Sequence, residues 1–296
     1  MRFLANHKRL ALYVALNVVL AVGLLTYFHH VHPRFIYDLD SVSNWGPYSV
    51  RTYRNENWDM AYIEVLMGHN RLYSRYGEVK FSVLLLGTDV AGNGVPNLVI
   101  EQWLGSAHGD SRYLVVAFDG PAVHEVDVID HLHDVTFGDL NGDGRVEVSG
   151  TDRAYDYFLG DSFAASPRAL VVLSFDKTQG KFGLDKKLMA KPPLSRDEFN
   201  ELSLKYKNDT RWSEKSRPPS DLFDTMLKLI YTGNERQAWG LFDASWPDTS
   251  TVSEEEYRED VEAELNYSNF YPVIADWYSK GQWPDVGGTR GQGGGL

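Results

Sequence analysis

The sequence predicts an α+β protein in three parts: an N-terminal transmembrane helix, an antiparallel β-rich domain built like part of a propeller, and a small C-terminal helical domain. Three observations predict it. An apolar run fills Leu10 to Phe28. From Tyr48 to Leu184, short runs of Val, Ile, Leu, Tyr and Phe are broken by Gly, Asn and Asp, which is how strands and turns alternate. Beyond Lys191-Pro192-Pro193 the apolar residues recur at three- and four-residue spacing, the helical period.

The N-terminal run has Asn17 and Thr26 as its polar members. As a helix it would be about 28 Å long, close to the thickness of a bilayer's hydrocarbon core. Arg2, Lys8 and Arg9 precede it and only Arg34 follows closely, so the excess of positive charge places the N-terminus in the cytoplasm. Everything after His29 is then expected outside, periplasmic or extracellular, held by a single pass through the cytoplasmic membrane. Ala21 and Gly23 offer a small-x-small pair for cleavage, but Leu24, Leu25, Tyr27 and Phe28 carry the apolar run past it, which favours an uncleaved anchor. Residues 1–40 are assigned to cytoplasmic stub, anchor and linker.

Within 41–193, Ala61 to Met67 and Arg71 to Tyr76 flank Gly68-His69-Asn70 as a hairpin. Further strands are expected at Phe81 to Leu86, Leu98 to Trp103, Tyr113 to Phe118, Val123 to Val128, Asp134 to Phe137, Arg145 to Ser149, Leu170 to Phe175 and Lys181 to Leu184. No helical period interrupts them, so the sheet assembly should be largely antiparallel. Inside it the chain repeats itself at an offset of 50 residues: Gly87-Thr88-Asp89 through Val99 aligns with Phe137-Gly138-Asp139 through Ser149. That period suits propeller blades. Two copies are too few to close a ring.

The helical part, 194–286, opens at Ser195, which makes a capping box with Glu198 for a helix to about Lys207. A second helix runs from Ser220 to Tyr231, with Leu222, Phe223, Met226, Leu227 and Ile230 on one face and Gly233 as its stop. Asn234 to Ala244, Ser253 to Leu265 and about Phe270 to Trp277 follow. The glycine-rich stretch 287–296 is expected to be a disordered tail.

Composition removes whole classes of function. Of the 296 residues, 29 are Lys or Arg and 41 Asp or Glu, a formal charge of −12, so no nucleic acid is expected as a partner. With no cysteine there are no disulfides, thiolate nucleophiles or iron–sulfur ligands. A phosphate loop, a dinucleotide fingerprint and a nucleophile elbow are all missing from the sequence.

One motif carries chemistry. Asp139-Leu140-Asn141-Gly142-Asp143-Gly144-Arg145-Val146-Glu147 sets oxygen-bearing side chains at positions 1, 3, 5 and 9 and a glycine at 6, where the chain must turn sharply. Ca2+ takes six to eight oxygens, and such a loop can wrap it, with position 7 adding a carbonyl. Asp139, Asn141, Asp143 and Glu147 are therefore the expected side-chain ligands, and Arg145 the backbone one. An EF-hand is excluded because position 12 is Gly150 and the flanks read as strands. A plain tight turn is the alternative, though a turn needs neither acids at 1 and 5 nor one at 9. The earlier copy has Ala91 at position 3 and Asn97 at position 9, so it should persist as a turn.

The stretch Asp139 to Glu147, with Phe137-Gly138 before it, resembles the calcium loop of FG-GAP, or VCBS, repeats, found in integrin α-subunit-like propellers and exported bacterial proteins. A longer region, Asp89 to about Pro193, is similar to exported bacterial proteins of uncharacterised role, but Gly109 and Asp110 stand where those relatives have two cysteines. The resemblance implies a metal site and a fold, and no activity.

A second metal set is conceivable: His131 and His133 would share one face of a strand, with His108 or His124 as a third ligand for zinc. Hydrogen-bonded strand histidines are the plainer reading. The sequence thus points to a membrane-anchored, extracytoplasmic, calcium-binding structural or interaction protein with a protein partner, as an accessory subunit of a membrane complex. Its alternative is a metal-dependent hydrolase or carbohydrate-active envelope enzyme using His108, His131 and His133.

Overall fold

A computed structural model describes residues 15, 17–23, 37–212, 218–248 and 253–286. The protein is α+β, with three four-stranded antiparallel sheets followed by helices. Most of the expected transmembrane run lies outside the described residues, as does the expected tail at 287–296. Residues 15 and 17–23 are helical, and Val18, Val19, Leu20 and Val22 on that helix are exposed. Among the described residues no helix is long and apolar enough to cross a membrane.

Each sheet is made by four consecutive strands. The first holds β1 (Asp38–Trp45), β2 (Tyr48–Asn55), β3 (Met60–Met67) and β4 (Asn70–Glu78). The second holds β5 (Lys80–Thr88), β6 (Asn97–Trp103), β7 (Ser111–Asp119) and β8 (Ala122–Ile129). β9 (Leu132–Gly138), β10 (Glu147–Asp152), β11 (Leu170–Asp176) and β12 (Lys181–Leu184) form the third. Every expected strand is present. β1 and β2 are additional: no individual strand is expected before Ala61, and Asp38 to Asp40 read as linker, yet β1 pairs with β2 from Asp38↔Arg54 to Trp45↔Tyr48 as an exposed edge.

The chain forms two compact units. One runs to Thr88 and resumes at Pro96–Val128; the other takes Asp89–Val95 and continues from Ile129. The composition shift at Pro193 falls inside the second unit, which holds the third sheet together with the helices.

In the first unit, alternate residues of both sheets point into one core: Val50 from β2, Ile63 and Val65 from β3, Phe81 from β5, Leu98 and Ile100 from β6, Leu114 and Val116 from β7. Alternation with period two explains why these runs were legible as strands. Trp45 stacks on Tyr48 with ring centroids 5.7 Å apart, and a Cβ at Gly87 would lie 2.2 Å from the Trp45 ring nitrogen. On the opposite face of the first sheet, Tyr53 and Tyr62 donate hydrogen bonds to the buried Glu64 carboxylate at 2.8 and 3.5 Å.

In the second unit three short 3-10 turns, Arg153–Tyr155, Phe158–Gly160 and Phe163–Ala165, lie between β10 and β11 of the third sheet, and a one-turn helix α1 (Lys186–Met189) follows β12. The longer helices are α2 (Arg196–Lys207), α3 (Ser220–Ile230), α4 (Glu235–Ser245), α5 (Glu254–Tyr267) and α6 (Tyr271–Ser279). The Ser195 and Glu198 capping box forms as expected. Buried polar groups tie sheet to helices. Asp152, at the end of β10, accepts hydrogen bonds from Tyr231 (2.6 Å) and from Ser268, and the Tyr231 hydroxyl is also 2.8 Å from that of Tyr155. The Asp152 carboxyl is 1% exposed, and its burial raises its pKa above the usual carboxylate value of 3.8 in spite of those donors.

A carboxyl whose pKa is higher folded than unfolded contributes stability at low pH that is lost as pH rises through the folded value. Asp152→Asn removes that titration. Urea unfolding of both proteins across pH should therefore show a constant difference below 3.8 and, above it, a loss of wild-type stability relative to the variant that levels off once the pH exceeds the raised folded value.

Candidate metal centre

The acidic loop hangs between two strands that close beneath it, since Gly138 of β9 pairs with Glu147 of β10. The earlier loop is closed in the same way by Thr88 and Asn97 of β5 and β6, so the 50-residue echo is a structural one. Both loops fold around their first carboxylate. Asp139 Oδ1 accepts from the amides of Gly142 (2.7 Å) and Asp143 (3.1 Å), and Oδ2 from Gly144 (2.9 Å). Asp89 accepts from Asn93 (3.1 Å) and Gly94 (2.8 Å). Position 5 repeats the device, Asp143 accepting from Arg145 and Asn93 from Val95. Gly142 and Gly144 have φ of +79° and +83°, a region L-residues enter only with strain. The Gly144 amide above all, with those of Gly142, Asp143 and Asn141 assisting, holds the Asp139 carboxyl below the usual carboxylate range.

The five expected ligands divide into an open tip and a buried base. Asp139, Asn141, Asp143 and Arg145 are exposed, whereas Glu147 is 2% exposed. Its Oε2 accepts one hydrogen bond, from the Leu140 amide at 2.9 Å, and among the described residues no cationic side chain pairs with it. A charge so buried is costly unless it is paired or coordinates a metal. The donor set, with three carboxylates, an amide oxygen and a backbone carbonyl, is all oxygen and suits a hard divalent cation. In the earlier loop Val90 and Ala91 turn inward, 1% and 2% exposed, so position 3 offers no oxygen. That loop also meets the acidic one directly: a Cβ on Gly92 would lie 3.8 Å from Arg145 Cγ.

The histidines do not form the second metal set. His131 precedes β9, with φ +67°, and is exposed, so it shares no strand face with His133. His133 is buried; its Nε2 lies 2.7 Å from Asp156 Oδ2, and Arg168 reaches the other oxygen of that carboxylate at 3.3 Å. Sequence analysis missed this His–Asp–Arg group because its members come from a strand end and an irregular segment, with no spacing to connect them. His108 sits in the exposed turn before β7, where its amide donates to Ser106 Oγ, and His124 is exposed on β8. Among the described residues no three His, Asp or Glu side chains stand gathered as a ready-made metal cage. This includes the acidic loop, whose Asp139 oxygens are turned toward its own amides.

Comparison with protein-family models, curated proteins and solved structures finds no match to this chain.

Because two left-handed glycines set the loop's path, Gly142→Ala and Gly144→Ala should each cost about 1–2 kcal/mol in urea unfolding. Gly138→Ala, at a position without positive φ and with open space for a Cβ, should be close to neutral.

Proposed function

We propose that this chain is a membrane-anchored, extracytoplasmic protein that binds Ca2+ at Asp139, Asn141, Asp143, Arg145 and Glu147 and serves as a structural or interaction component of a membrane complex. The observation that carries the calcium reading is Glu147, a buried carboxylate without a cation, at the base of a loop whose other expected ligand residues are exposed. Bound Ca2+ would supply the positive charge that this cluster of three carboxylates lacks. Glu147 would hold the ion from the base and Asp139 and Asp143 from the tip, Asn141 and the Arg145 carbonyl would complete the oxygen set, and Asp139 would also keep the loop wound through its amides.

The FG-GAP-like reading of the sheets is part of the same proposal. Its support is the meander order in all three sheets and the recurrence of the loop between the first and second strands of two successive ones. Four-stranded meanders are the units from which propellers are assembled. The anchor is supported by the apolar stretch Leu10 to Phe28 and by the exposed valines and leucine of its described part.

Calcium should raise the melting temperature relative to chelator, by the equivalent of about 2.7 kcal/mol at a hundredfold excess over Kd. Asp143→Ala should abolish the rise, and a melt unmoved by saturating calcium in the wild type would remove the site. Glu147→Gln gives a test that reverses sign. In chelator the variant should equal or exceed the wild type, having lost a buried unpaired charge, and in calcium it should be the less stable of the two.

A further inference from the structure

The helical region carries a cleft of about 660 Å³ between the segment Pro192 to Phe199 and one side of α4. Its shape is fixed by neutral contacts. Gln237 of α4 grips the backbone of Leu194 twice, accepting from its amide at 2.8 Å and donating to its carbonyl at 2.9 Å. Gly240 of α4 faces the ring of Phe199 on α2, where a Cβ would find the ring edge at 3.7 Å. Pro192 and Pro193 offer no amide donor, so that wall of the cleft is apolar and rigid.

Two guanidiniums open onto this frame, Arg196 of α2 and Arg236 of α4. Both are exposed, and among the described residues neither has an acidic or hydrogen-bonding partner. That sets them apart from Arg153, Arg168, Arg211 and Arg258 of the same unit, each ion-paired to an aspartate. Arg145 of the same unit is likewise exposed without an acid among the described residues, but it stands alone in its loop, whereas Arg196 and Arg236 line one cleft together. The cleft's own carboxylate, Glu198, pairs with neither: it accepts from the amide and hydroxyl of Ser195 at 2.8 and 2.6 Å, closing the helix cap, and with two arginines and one glutamate the lining keeps one net positive charge.

We infer that this cleft docks a short acidic peptide segment of a partner protein, two carboxylates taken by Arg196 and Arg236 and an apolar side chain laid against Pro192, Pro193 and Phe199. Arginine favours this because its planar fork can hold a carboxylate bidentately. The acidic body repels long polyanions, which selects a short segment with few charges over a nucleic acid. The inference rests on the reading of the chain as an interaction protein and is independent of the calcium loop, so calcium melts and peptide binding can fail separately.

The test is fluorescence anisotropy of the full chain with a labelled Glu-Asp-Leu-Glu-Glu peptide against its neutral counterpart Gln-Asn-Leu-Gln-Gln. The acidic peptide should bind about tenfold more tightly, and the difference should shrink as salt is raised. R196Q/R236Q, at exposed positions with no partners to lose, should melt as the wild type does and lose that difference. Lys177→Gln with Lys181→Gln, the same charge change elsewhere on the surface, should keep it. Equal binding of the two peptides, or an unaffected double arginine variant, would overturn the proposal. So would self-association of the wild type that the arginine variant abolishes while neither protein binds peptide, which would make a second copy of the chain the occupant.

Discussion

A chain that reverses through two left-handed glycines turns several amides toward the inside of its own loop, and those amides must find an acceptor. In this protein the acceptor is an aspartate at the first position, Asp139 in one loop and Asp89 in the other. The rest of the β structure depends on this. With the amides satisfied locally, the strands on either side can pair from the first residue below the loop, Gly138 with Glu147 and Thr88 with Asn97. The same device fixes the oxygens of positions 5 and 9 relative to the first. Loop folding and side-chain placement are thus one problem with one solution, and the two loops differ in what the side chains at 3 and 9 bring to it.

That difference sets the two copies apart: only the later loop has an oxygen-bearing side chain at position 3 and an acid at position 9. Val90 and Ala91 are packed away while their counterparts Leu140 and Asn141 face solvent. At the base, Asn97 replaces the charge of Glu147 by a neutral amide, and burial of a neutral group needs no counter-ion. The earlier loop thus carries a single carboxylate, Asp89, which its own amides engage.

Much of this was legible in the sequence, and what was not has physical causes. The strands of the two-sheet core could be read because Ile63, Val65, Leu98, Ile100, Leu114 and Val116 alternate with the period of a pleat. The helices could be read from their caps, Ser195 with Glu198 and Ser253 ahead of Glu256. β1 could not, since an exposed edge needs no apolar face, and the polar run Asp38 to Asn44 therefore shows no strand pattern. Pairing His131 with His133 assumed a regular strand through both, whereas a positive φ at His131 ends that regularity one residue before β9. The acidic loop was visible because its oxygen-bearing residues recur within nine positions of one another. The Asp152, Tyr231 and Ser268 cluster was not, because partners 79 and 116 residues apart leave no local pattern.

The short stretch Asp89–Val95 groups with the later part of the chain although both strands that flank it belong to the earlier unit. The second unit is therefore discontinuous, and a clone starting at Ile129 would omit one of its pieces. In such a truncated product the stem of Arg145 would lose Gly92 as its neighbour. Dissection of this protein into separately expressed halves is thus constrained by topology: the cut that looks natural along the polypeptide severs a part that the downstream half needs.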